Sequence, residues 1–169
     1  RPYIEWNAYV FEHTELFSKY EYIQTTDDQS PKTTDKHTHT WLMGGVQEFL
    51  SVPLLNKLTL RGEYQISDVE DKTDQEADTL THQFGLRATS EPVSEVLAYA
   101  EQRERLVYDK DLAEYTTRQD ISEIGTELKR WERFSAASKY QYRVIYDLLQ
   151  DAKTSERHVF TLSSEYQIF

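Results

Sequence analysis

The chain has no cysteine, which excludes a disulfide frame and thiolate chemistry. It has no apolar run of the roughly 18 residues that a membrane-crossing helix requires. Basic residues are in deficit: 19 Lys and Arg stand against 30 Asp and Glu, a formal net charge of −11. That balance excludes the basic stripe of a nucleic-acid-binding protein and makes the chain a poor partner for anionic surfaces. No Gly-rich phosphate loop and no H-E-x-x-H sequence is present. The chain opens on Arg1 with neither Met nor a signal segment, and a processed or truncated product is the simplest expectation. Mean hydropathy is −0.75, yet this does not exclude a membrane barrel, whose alternating strands average to a soluble-looking value.

What the chain has in abundance is aromatic residues and period-two alternation. Tyr occurs 12 times, Phe 7 and Trp 3, residues that favour strands. Leu58, Leu60, Gly62, Tyr64 and Ile66 share one face, and Thr59, Arg61, Glu63 and Gln65 the other. The end of the chain repeats this, with Phe160, Leu162, Ser164, Tyr166 and Ile168 against Thr161, Ser163, Glu165 and Gln167. Further apolar faces read Ile4, Trp6, Ala8, Val10; Thr40, Leu42, Gly44, Val46; Leu80, His82, Phe84, Leu86, Ala88; Ile124, Thr126, Leu128; and Tyr140, Tyr142, Val144, Tyr146. A helix would place charges among these at i+3 and i+4.

The pattern predicts an all-β fold, an antiparallel up-and-down meander in one domain over 1–169. Strands are expected near 2–12, 37–50, 56–67, 79–90, 95–108, 119–131, 138–148 and 156–169. Eight strands result if the first continues to 24, and nine if a turn at His13-Thr14-Glu15 divides it; unbroken parity from Val10 to Tyr22 favours the continuous strand. The connections alternate in length. Thr25–Lys36, Ser67–Asp78, Asp109–Arg118 and Leu149–Glu156 are long and polar, while Ser51–Leu55, Ser90–Ser94 and Glu132–Ala137 are short. One end of the sheet therefore carries loops and the other tight turns, as in membrane barrels. A small barrel has little room inside, so scarce glycine and the arginines of the polar face favour a larger lumen shared with further strands.

The ending HVFTLSSEYQIF, with alternating apolar residues before a terminal aromatic, resembles the last strand of Gram-negative outer-membrane β-barrels (porin-like proteins). The resemblance implies a bacterial outer-membrane location, lipid around the barrel, and Phe169 as the signal read by the barrel-assembly machinery. It implies Leu58, Leu60, Tyr64, Ile66, Phe160, Leu162, Tyr166 and Ile168 against lipid. It also implies a lumen lined by Arg61, Glu63, Arg87, Arg103, Arg105, Glu127, Lys129, Arg143 and Glu165. Val96, Ala98 and Ala100 give way to Gln102 and Glu104, so the upper half of that strand is expected outside the bilayer.

The expected function is a pore or channel for small polar solutes or ions. The alternatives are a scaffold holding a partner protein in the lumen or at the loops, and a soluble β-barrel around an apolar ligand. No cofactor or metal is expected: His37 and His39 lack a third ligand, and Asp68, Glu70, Asp71, Asp74, Glu76 and Asp78 lack calcium-loop spacing. No enzyme activity is expected either, because Ser163, Ser164 and His158 lack an evident third member of a triad.

Overall fold

The computed structural model describes residues 2–27, 34–73, 76–131 and 133–167. The alternation becomes nine strands: β1 (Tyr3–Phe11), β2 (Thr14–Thr26), β3 (Asp35–Val52), β4 (Asn56–Asp71), β5 (Thr79–Val93), β6 (Val96–Asp109), β7 (Glu114–Trp131), β8 (Phe134–Asp147) and β9 (Ala152–Tyr166). They form one antiparallel meander in sequence order. β1 and β9 do not pair with each other, so the sheet is open, consistent with part of a barrel.

The count is nine because a hairpin at Glu12 and His13 divides the first segment, with His13 at a left-handed φ of 65°. Parity concealed this hairpin. Phe11 pairs with Thr14, which alone would move the apolar face from even to odd residues. Val10 is then bulged out, and Tyr9 pairs with Glu15, which restores even numbering. Bulges commonly re-aim strands in this way.

The loop asymmetry survives in reduced form. Tight turns join β1 to β2, β3 to β4, β5 to β6 and β7 to β8, and the longer connections at the opposite end follow β2 and β4. The two later loops are short, at 110–113 and 148–151. Thr116 and Thr154 are bulged, and beyond them the strands continue where the alternation lapses.

Pairing also corrects one face. Leu42 pairs with Gln65, Gly44 with Glu63 and Val46 with Arg61, whereas Trp41 pairs with Ile66 and Met43 with Tyr64. Thr40, Leu42, Gly44 and Val46 therefore lie on the polar side. The apolar side of β3 is Trp41, Met43, Gly45 and Phe49.

The sheet is a single layer. Val144 is the only buried apolar residue among those described, and the accessible surface is 11650 Å². A compact monomer of 20.0 kDa would expose about 8,700 Å². Trp41, Phe84, Leu86, Ile124, Phe160 and Leu162 all stand exposed on the apolar face. A soluble sandwich or barrel would cover such a face with a second layer.

Candidate functional site

The polar face is a connected charged wall. Arg61 lies directly opposite Arg87, which lies opposite Glu101. Like charges so placed repel, and carboxylates offset this. Arg61 Nε is 3.1 Å from Glu63, Arg87 is 3.5 Å from Glu101, and Arg103 Nε is 2.7 Å from the other oxygen of Glu101. The guanidinium of Arg61 lies 4.7 Å from the Phe17 ring centre and that of Arg87 4.4 Å from Tyr99, within cation–π range. Val46, Thr59, Arg61, Glu63, Arg87 and Glu101 border a depression of about 450 Å³.

Glu123 organises the next strands. It is 8% exposed, accepts hydrogen bonds from Tyr99 and Gln141 at 2.9 Å each, and has Lys139 at 3.7 Å. The Tyr99 ring sits against Gly125, where an added Cβ would stand 2.6 Å from it. Gly125→Val should therefore displace Tyr99 and cost about 1–3 kcal/mol. A denaturant midpoint in micelles equal to wild type would show that the ring does not need this seat.

All nine expected polar-wall residues share this face. Glu127 and Glu165 sit toward the tight-turn end, where Lys129 pairs with Glu91 at 3.1 Å. Residues of the wall beyond those nine include Tyr99, Glu101, Glu123, Lys139 and Arg157. Each is odd-numbered like its neighbours on the wall, so parity alone was a sufficient signal for them.

The apolar face has a slant. Trp6, Ser18, Met43, Tyr64 and Phe84 are paired in turn from β1 to β5, but the same row continues through Glu104, Asp120, Val144 and Glu156. On this upper part Arg118 bridges Glu104 and Asp120 at 3.2 Å each. Nearer the tight turns, Leu60, Ala88, Ala100, Ile124, Tyr140 and Phe160 form a continuous apolar row. The apolar band thus descends across the hydrogen-bond rows from β1 to β9. A flat slab intersecting tilted strands produces this stagger. Val96, Ala98 and Ala100 lie in the band, and Gln102 and Glu104 lie above it on the same face.

Histidines mark much of the upper edge of the band. Tyr20 Oη is 2.7 Å from His39 Nδ1, Tyr22 3.2 Å from His37, Tyr64 2.6 Å from His82 and Tyr140 2.7 Å from His158. His82 thus has a phenol partner within its apolar face, and His37 and His39 are engaged with tyrosines. His158 points to the same side as Ser164 and opposite to Ser163, several residues along the strand, so the serines and the histidine form no catalytic group. Among the described residues no cluster of three metal-ligating side chains occurs.

The acidic loop after β4 is held by its own contacts. Asp71 accepts hydrogen bonds from the Thr73 amide at 3.0 Å, the Thr73 hydroxyl at 2.7 Å and the Glu76 amide at 2.8 Å. Lys36 pairs with Glu76, and Lys110 with Asp68. Asp74, like Ile168 and Phe169, lies outside the described residues. The Lys72 ammonium, hydrogen-bonded to Glu70, holds that carboxyl below its ordinary range. Its contribution is therefore full above the usual carboxylate pKa and lost as pH falls through the lowered value. The Glu70 carboxyl resonance should titrate below the ordinary glutamate range, and Lys72→Met should return it there; a titration that Lys72→Met leaves in place would contradict this.

No protein-family model matches the chain, and the search of curated proteins finds no match. Solved structures do match. OmpT of Vibrio cholerae expressed in the outer membrane superposes with a TM-score of 0.67 at 11% identity, over 96% of this chain and 54% of that one. The fold is that of an outer-membrane β-barrel. OmpT folded in vitro gives 0.68 at 11% identity, with 96% and 53% covered, and its trimer form 0.65 at 10%, with 96% and 54%. The chain thus spans about half the length of the barrels it matches. The open edges at β1 and β9 are what half of such a barrel would present.

Proposed function

We propose that the chain is part of a β-barrel in the bacterial outer membrane whose polar face lines an aqueous path for small polar solutes or ions. The observation that carries this reading is the slanted apolar band. The charged wall on the opposite face supports an aqueous interior, since ion pairs of mixed sign suit water and not lipid. Lipid meets the band, with tyrosines and histidines at its upper edge. The alternating final strand supports delivery by the barrel-assembly machinery.

The test uses the complete protein. It should require detergent or lipid to remain monomeric, and it should conduct ions in planar bilayers. Monomeric, detergent-free material with a cooperative melt would overturn the membrane reading. An inserted but silent barrel would overturn the pore and favour a scaffold for a partner protein.

A further inference from the structure

We propose that Arg143 and Arg157 form an anion-binding site on the inner wall, near its long-loop end, for a carboxylate or phosphate group. This rests on the polar face lining an aqueous lumen. The two residues are direct cross-strand partners on β8 and β9. Two guanidiniums in this relation repel, and the wall shows what normally offsets such repulsion. The equivalent pair, Arg61 and Arg87, has Glu63 and Glu101. Arg143 and Arg157 have no such carboxylate among the described residues, and the Arg143 Nε is buried without a hydrogen-bond partner.

Among the described residues of β5 to β9, the neighbouring groups do not supply one. Across β7, the residue opposite Arg143 is Ile121, and Arg103 lies beyond it in the same row. The nearest inward acid on β7 is Glu123, opposite Gln141 and occupied by Tyr99, Gln141 and Lys139. Glu101 is taken by Arg87 and Arg103. Gln119 and Ser155 are the uncharged polar neighbours toward the loops. Glu156 precedes Arg157 but points to the opposite face, toward Tyr142, Lys153 and His158.

Height adds a second argument. Arg143 lies three residues beyond Tyr140 toward the loops, and Arg157 three residues beyond Phe160. Tyr140 and Phe160 belong to the apolar row of the opposite face. The pair therefore sits above the middle of the barrel wall, where a solute arriving from the loop side would meet it. Arg157 is exposed, so an oxyanion can reach it. Two planar guanidiniums a strand apart offer paired donors matched to a carboxylate or phosphate.

Inorganic phosphate is the probe, applied to the complete protein. In detergent, ³¹P line broadening should report binding. In planar bilayers, phosphate on the loop side should reduce chloride conductance. Arg157→Gln alone, and Arg143→Gln with Arg157→Gln, should raise the phosphate concentration for half-effect about tenfold or more. Arg118→Gln, on the outward face, should leave it unchanged. Phosphate broadening that the double variant does not alter, or no broadening at all, overturns the site. A conducting barrel without phosphate binding loses the site and keeps the pore. A silent barrel whose broadening depends on Arg157 keeps the site and loses the pore.

Discussion

Leu60→Arg should destabilise the barrel in a bilayer by about 2–4 kcal/mol, the cost of an arginine on the lipid face near the midplane. Leu60 lies between Gln47 and Ala88 on the apolar face, one step along that face from Gly62 at the centre of the β4 band from Leu58 to Ile66. One residue on, Arg61 occupies the opposite face beside Glu63. Arg61→Leu should cost far less, since its side chain is exposed and its ion pair is of the surface kind. The difference between these adjacent positions, measured by reversible unfolding from vesicles, isolates the face from the strand. Equal costs at 60 and 61 would mean that the two faces meet the same medium.

The second large effect is on selectivity. Arg61→Glu with Arg103→Glu changes the wall by four charge units around Glu63 and Glu101. A unit charge acting on an ion about 8 Å away in water contributes ~0.5 kcal/mol, so four amount to ~2 kcal/mol unscreened. Screening at 0.1 M salt reduces this by roughly half. Anion permeability should therefore fall and cation permeability rise about fivefold each, so that their ratio falls about 25-fold, read from the reversal potential across a salt gradient. A ratio unchanged in a conducting double variant would remove these residues from the conduction path.

The sequence revealed the strand class, the meander and most of the faces, because one column of each strand is plainly apolar and the other plainly charged. It misled where both columns are apolar. In β3 the even column offers Leu42, Gly44 and Val46 and the odd column Trp41, Met43, Gly45 and Phe49. No binary pattern separates these, and only pairing with Arg61 and Glu63 assigns them. The strand count was hidden because the Val10 bulge cancels the parity change at the Glu12-His13 hairpin. The charged wall was legible as a list but not as a network. That Glu123 joins Tyr99, Gln141 and Lys139, and that Arg143 faces Arg157, depends on register. Register is set by turns and bulges that leave only faint marks on composition.

These 169 residues hold no cysteine, so single labels placed in them report on the central claim directly once any cysteine elsewhere in the protein is replaced by serine. Single variants Leu42→Cys and Met43→Cys, each spin-labelled in the complete protein in vesicles, compare access to oxygen, which concentrates in lipid, with access to a water-soluble nickel chelate. The label at 43 should be reached by oxygen and shielded from nickel, and the label at 42 the reverse, with the same alternation at 60 and 61. Oxygen access at 42 with nickel access at 43 would contradict the orientation of the sheet.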